Sequence, residues 1–551
     1  MTIDGLRNRV GLLAEELKAY ARLQHTGVLD LTRPRGVLRL AADTRRYGAQ
    51  ASLIKKTARE FPEGTAVIDE RGALTYRQLD ERSDALANAL LARGLAPGAV
   101  VAVLARDHRG LLLTISAAGR AGLRLTMVNT GFGAAQLVEV IRREQAQIVL
   151  HDAEFAGALA GLPPDLPRVL TWAEAGDDPA AGVETIDDLI AAADPTPPPP
   201  PRQPGGFVIL TSGTTGTPKG APRTTVTPLL SAMLVDRIPF PRRGTILVTA
   251  PLFHAYPFGM WTVGVALGNR VVLARRFDAE ATLRALAEHR AELFVGVPTM
   301  LHRILDLGPE VIRRYDLSAL RAIVVAGSAL TPHLAQRAQD TFGEVLYNLY
   351  GSTEVAVATV AQPAELCRAP GTAGRAPVMV HAVLYDSDDR PIDTPNTKGR
   401  IFVRTGAPFE GYTDGGHKQI IDGHMATGDI GHFDAEGLLF VDGRDDDMIV
   451  SGGENVYPLE VEHLLADHPG VADVAVVGVD DPEFGKRLRA VIVAAPGAAP
   501  DAQAVRDHVR ANLARHKVPR DVLFVEELPR NATGKVVRRA LQELDAVPDR
   551  A

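Results

Sequence analysis

The sequence predicts an α/β fold of layered sheets, followed by a smaller domain at the C-terminal end. Three observations lead there. Between about Pro62 and Glu292, short β-rich runs alternate with amphipathic helical stretches, AVVAVLA (99–105) and AQIVLHD (146–152) being the clearest strands. Alternation of this kind builds sheets covered by helices. The run Pro197–Pro201 can continue neither a helix nor a central strand, so it marks a surface connection, after which GFVIL (206–210) reads as a buried strand. Near 443–447 the composition changes. DAEGLLFVDGR (434–444) reads as a hairpin turning at Asp434–Gly437, the acidic triplet Asp445, Asp446 and Asp447 follows, and the rest of the chain has strands (VADVAVVGV, AVIVAA) and helices of its own. The expected division is therefore 1–445 and 446–551. No repeat of solenoid length is present.

A chain of 551 residues is too long for one core, and 46% apolar with 23% charged residues is ordinary for a globular protein. A net charge of -7 supplies no basic field and argues against nucleic acid as a partner. Cys367 is the single cysteine, which rules out an internal disulfide and a Cys/His zinc cluster and fits a reducing cytoplasm. The N-terminus lacks the basic start and apolar core of a signal peptide. Its Leu6, Val10, Leu13 and Leu17 recur at helical spacing, which predicts an amphipathic helix packed on the body and leaves peripheral docking on a membrane open. No stretch has the ~20 apolar residues needed to span a bilayer.

The segment Thr211–Gly220, TSGTTGTPKG, directly follows the GFVIL strand. Gly213, Gly216 and Gly220 permit backbone conformations in which amide N–H groups converge on an anion. Thr211, Ser212, Thr214 and Thr215 add hydroxyl donors, and Lys219 adds a positive charge. Many short donors on a pliable loop with one cation suit a polyphosphate. The GxxxxGK[ST] spacing is absent, so this is not a Walker loop.

The loop resembles the signature of the adenylate-forming superfamily of acyl-CoA synthetases, luciferases and peptide-synthetase adenylation domains. The remaining motifs follow in that superfamily's order from about residue 50 to 545, and NTGFG (129–133) and EGYTDGG (410–416) are most similar to fatty acyl-CoA ligases. The resemblance implies a large N-terminal domain of several subdomains that binds ATP and the acid, and a small, mobile α+β C-terminal domain. It also implies ATP, Mg²⁺ and coenzyme A as cofactor and co-substrates.

PLFHAYPFG (251–259) places His254 in a loop bounded by Gly and Pro, where the family seats the carboxylate of the acid. AGSAL (326–330) and NLYGSTE (348–354) each follow a strand, the position where α/β sheets form ligand crevices. Tyr350 offers a flat face for adenine and Gly351 allows close backbone approach. Thr353 can donate to the α-phosphate, and Glu354 is a hard oxygen ligand for Mg²⁺. By resemblance, Asn348 meets the adenine edge, Gly327, Ser328 and Ala329 run along the nucleotide, and Ser352 belongs to the same loop. Asp429 in TGDIG (427–431) and Arg444 in GRDDD (443–447) correspond to the family's ribose contacts, and Asp446 corresponds to its hinge. Lys535, in NATGKVVRR (531–539), matches the family's catalytic lysine. An ammonium is needed there because charge builds on the attacked α-phosphate.

The reaction so implied has two halves: formation of acyl-AMP, then transfer of the acyl group to coenzyme A after the small domain turns about Asp446. That turn would remove Lys535 and bring SGGEN (451–455) to the site, Gly452 leaving room for the pantetheine arm. The family's acyl-pocket positions are here Tyr256, Phe258, Val297, Ala326, Gly351 and Val355, mostly apolar, with no Lys, Arg or Asp among them. This points to a hydrophobic acid, either a long fatty chain or a bulky polycyclic or aryl acid, and away from amino acids and dicarboxylates. Transfer to a carrier protein or partner enzyme is the alternative outcome. A non-catalytic nucleotide-binding homologue is a further one, which Lys535 and Glu354 argue against.

Overall fold

The computed structural model describes residues 3–174, 183–211, 218–223, 229–406, 409–445, 447–451, 454–481, 485–531 and 534–544. Two large sheets form the body. The first has eight strands in the order Thr359–Ala361, Leu346–Tyr350, Ala322–Ala326, Leu293–Gly296, Thr245–Val248, Arg270–Leu273, Thr65–Asp69 and Gly72–Thr75. Its six inner strands are parallel and both edge strands antiparallel. The second has six strands, ordered Arg168–Trp172, Ile148–Asp152, Val100–Leu104, Arg124–Met127, Phe207–Thr211 and Lys219–Arg223, parallel except for the last pair. Inner strands such as VVAVL and AIVVA are buried throughout, as expected where helices cover both faces.

The helix Arg109–Ala121 contacts strands of both sheets and sits between them. Its Arg120 is fully buried, so its charge must be paired. It bonds Asp80 and Asp84 at 2.6 Å each, and Lys55 joins the same Asp84 at 3.0 Å. This network ties three helices into one layer.

The antiparallel sheet Val380–Tyr385, Gly399–Thr405, His424–Phe433, Ile420–Ile421 and Leu439–Arg444 follows. Its last hairpin turns at Asp434–Gly437, as the sequence predicts. The C-terminal sheet pairs the long strands Val471–Asp481 and Gly485–Ala494 in an antiparallel ladder, and Asp521–Phe524 adds in parallel. The small C-terminal domain thus has a core of its own around Val476, Leu488, Val505 and Val509. Asp446 and Gly452 lie outside the described residues.

The N-terminal helix spans Ile3–Thr26 and packs on the helix Leu229–Val235. Its buried face is not the one expected. Ala19 and Leu23 are fully buried while Leu17 is 69% exposed, so the contact runs along a neighbouring stripe of the helix. The side chains of Leu6, Val10 and Leu13 lie outside the described set. A second helix, Pro34–Tyr47, packs on the helices Ala49–Glu60 and Arg109–Ala121. No described helix is long and apolar enough to cross a membrane.

Candidate active site

The carboxyl ends of the parallel strands converge on one crevice. Ala322–Ala326 leads into Gly327, whose φ of +90° suits a residue without a side chain. Leu346–Tyr350 leads into Gly351, where a Cβ would stand 2.1 Å from the carbonyl oxygen of Ala356, so only glycine fits. Asn348 and Tyr350 therefore lie at the strand's end rather than in the loop. Asn348 donates to the Thr372 carbonyl at 3.1 Å, and the Tyr350 hydroxyl donates to Asp429 Oδ2 at 2.6 Å.

Asp429 and Arg444 are direct partners across adjacent strands, with Nη1 3.8 Å from Oδ1. Burial raises the Asp429 carboxyl above its ordinary value, against the pull of Tyr350 and the charges of Arg444, Lys535 and Lys418. Tyr350, Asp429 and Arg444, far apart in sequence, thus form one polar cluster.

Glu354 is buried, and its two oxygens have separate partners. Oε1 accepts from the Tyr412 hydroxyl, and Oε2 accepts from Ser352 Oγ at 2.8 Å. Burial works against its charge, but the hydrogen bonds from Tyr412 and Ser352 and the charge of Lys418 outweigh it and hold the carboxyl below its ordinary value. Behind this loop, Arg223 donates to the carbonyls of Thr353 and Glu354 at 2.7 and 2.8 Å and so fixes its path.

The strands Phe207–Thr211 and Lys219–Arg223 pair antiparallel, with Thr211 opposite Lys219, so TSGTTGTPKG spans a hairpin connection. Ser212, Gly213, Thr214, Thr215 and Gly216 lie outside the described residues, as does the Thr211 side chain. Lys219 Nζ is 3.4 Å from Asp414 and 5.2 Å from the Tyr412 ring centre. A Cβ on Gly220 would be 2.6 Å from Thr413 Oγ1, which shows how closely the EGYTDGG loop is pressed on this hairpin.

Lys535 projects from a turn closed by backbone bonds between Asn531 and Lys535 and by Asn531 Oδ1, which accepts from the Lys535 amide at 3.0 Å. Gly534, at φ +75°, lies against Thr299, at the start of the helix Pro298–Leu305. His302 of that helix meets the Ala472 carbonyl of the small domain at 3.2 Å. Through these contacts Lys535 reaches the crevice. Although open to solvent, it is crowded by protein, and desolvation lowers its pKa, helped by Arg444 and opposed by Asp429 and Glu354. His254 precedes the helix Ala255–Ala266, and its Nε2 is shielded from solvent with no hydrogen-bond partner among the described residues. Burial and the charge of Lys535 push its pKa down to about 3, so the imidazole is neutral. The loop carrying His254 is anchored by Asp107, which accepts from the Leu252 amide at 3.0 and 3.2 Å.

Beside Thr353 a cavity of about 140 Å³ opens, mostly apolar. Tyr256 and Phe258 line it, and the Tyr256 hydroxyl donates to the Val324 carbonyl at 2.6 Å. Val297, Ala326 and Val355 do not line it. They are 5%, 2% and 2% exposed, their side chains taken up by packing behind the strand ends. An arginine does line it: Arg223, whose guanidinium is bonded to the backbone carbonyls already described.

A family model described as AMP-binding enzyme matches residues 54–413, and that of the AMP-binding enzyme C-terminal domain matches 460–535. The chain belongs to the AMP-binding enzyme family. A feruloyl-CoA synthase of Amycolatopsis sp is 34% identical over 492 residues, covering 88% of this chain and 96% of that protein. An indoleacetate–CoA ligase of Aromatoleum aromaticum is 33% identical over 500 residues, 89% of this chain and 95% of that one. The crystal structure of an anthranilate CoA ligase in complex with anthranoyl-AMP has the same fold, with a TM-score of 0.80 at 24% identity over 91% of this chain and 98% of that chain.

As an AMP-binding enzyme, the chain is an ATP-dependent, AMP-forming acid–thiol ligase. Sequence reasoning missed Tyr412, Arg223, Asp107 and Thr299. Tyr412 carried a signal, a lone aromatic in a Gly-rich loop; the others look like ordinary strand and turn residues.

Proposed function

We propose that this enzyme activates a hydrophobic acid with a bulky aryl or ring-bearing body as its acyl-AMP and transfers it to coenzyme A. The observation that carries this reading is the apolar cavity bounded by Tyr256 and Phe258, which begins at Thr353 and so joins the crevice of Glu354, Asp429 and Lys535. The aryl acids named for the relatives agree with it.

In the first half-reaction the substrate carboxylate attacks the α-phosphorus of ATP, the α–β phosphoanhydride bond breaks and pyrophosphate leaves. Neutral His254, whose Nε2 has no partner among the described residues, donates to the incoming carboxylate. Lys535 and Thr353 stabilise the charge that builds on the α-phosphate, and Asp429 with Arg444 holds the ribose. The anionic Glu354, hydrogen-bonded on both oxygens, fits a Mg²⁺ site of the kind that draws its other ligands from phosphates and water. That ion neutralises phosphate charge when bound. The small domain then turns near Asp446, Lys535 withdraws, and the thiol of coenzyme A attacks the acyl carbon and expels AMP.

Separating the half-reactions tests this scheme. Lys535→Ala should lower acyl-AMP formation by about two to three powers of ten, while thioester formation from supplied acyl-AMP survives. Equal loss of both would refute the division of labour.

A further inference from the structure

We propose that the N-terminal extension, which precedes the family match beginning at residue 54, forms the distal wall of the acyl cavity and sets the size of acid the enzyme accepts. This inference rests on the acyl-binding reading of that cavity. At one end the cavity meets Thr353 and Tyr256. Val28 and Leu29, from the turn after the first helix, and Leu40 and Thr44 of the second line it as well. Val28, Leu29 and Leu40 are 2%, 4% and 5% exposed and belong to the main hydrophobic core.

The wall is held in place at several points. The helix Ile3–Thr26 packs on Leu229–Val235, itself a side of the cavity through Leu230 and Leu234, and Arg22 bonds Asp236 at 2.8 Å. The turn between the helices runs through Gly27 at φ +84°, beside the guanidinium of Arg242, and the Leu29 amide donates back to the Leu23 carbonyl at 3.2 Å. Leu29 is thereby fixed facing the cavity. Thr44 and Gln50 supply the polar side chains on this side, both uncharged, and the Thr44 hydroxyl is paired with Ser52 at 3.0 Å. Uncharged lining on this side suits an acid whose far end is neutral and apolar, and it leaves a second carboxylate or an ammonium without a partner there.

The test uses the full chain and a series of ω-phenylalkanoic acids of increasing length, with pyrophosphate release as readout. Thr44→Phe and Leu29→Phe should each lower the ratio of kcat/KM for the longest accepted acid to that for the shortest by tenfold or more. Leu38→Trp, on the same helix but 71% exposed, should leave that ratio as in the parent. A ratio unchanged in both cavity variants, or loss equal for short and long acids, would overturn the inference and leave the extension as structural support. If the parent enzyme activates no acid of the series and none of the aryl acids, it is the proposed function that fails.

Discussion

Replacing Gly534 by alanine probes how Lys535, the proposed catalytic lysine, reaches the crevice. The new methyl carbon would lie 2.3 Å from Thr299 Oγ1, where ordinary contact begins near 3.4 Å. The turn and the helix Pro298–Leu305 must therefore part by about 1 Å, a misplacement that can cost on the order of 100-fold when the displaced group acts at the reacting centre. The left-handed backbone at φ +75° adds strain of about 1–2 kcal/mol for any residue with a Cβ. That strain is internal to the turn and independent of where the small domain sits, whereas under the proposed domain turn the contact with Thr299 is made only while Lys535 is in the crevice. Gly534→Ala should accordingly reduce acyl-AMP formation about 10- to 100-fold and leave thioester formation from supplied acyl-AMP within about twofold. Thr299→Ala in the same chain removes Oγ1 and leaves Thr299 Cβ as the nearest atom, at 3.3 Å, so the double variant should recover most of the loss. Half-reaction rates measured by pyrophosphate release and by thioester formation decide it. Equal loss in both half-reactions, or no recovery in the double variant, would refute the reasoning.

Other consequences follow from the charged groups. Tyr412→Phe removes the hydroxyl bonded to Glu354, so the carboxyl should titrate higher, the acid limb of adenylation should move to higher pH, and the rate at neutral pH should fall by about tenfold. A pH–rate profile identical to the parent's would contradict this. Burial pushes Asp107 up to about 8 from an ordinary 3.8, so the folded chain holds a proton there that the unfolded chain releases. The stability tied to this proton is complete at acid pH and lost as pH rises toward 8. Asp107→Asn does not titrate, and its Tm relative to the parent should climb between pH 5 and pH 8.5; a constant difference would show that the carboxyl is not protonated in the folded state.

The fold was legible where local pattern and global structure agree. GFVIL, AVVAVLA and AQIVLHD are strands within a residue or two of the expected ends, and the Asp434–Gly437 turn lies where its residues predict. The strand-to-loop junction at Gly351–Glu354 was legible because chemistry and spacing coincide there, and Glu354 meets Ser352 and Tyr412 at that place. Helical periodicity defines a stripe but not the neighbour that covers it, which is why Leu17 was expected inside and Ala19 and Leu23 are the buried residues. Of the positions expected to line an acyl pocket, Tyr256 and Phe258 line the cavity, whereas Val297, Ala326 and Val355 are buried and do not. Val28, Leu29 and Leu40 have no chemical signature and come to line the same cavity as Tyr256 only through tertiary packing. Asp107 reads as a turn residue after a strand, and its bond to the Leu252 amide spans 145 positions.

Adenylation followed by transfer to coenzyme A is tested by mass spectrometry of the products formed from ATP, Mg²⁺ and a panel of aryl and other hydrophobic acids, with and without coenzyme A. Acyl-AMP should form without coenzyme A and convert to acyl-CoA once coenzyme A is added. Acyl-AMP that accumulates to the same level in its presence, with no thioester, would contradict that transfer and place the acceptor elsewhere.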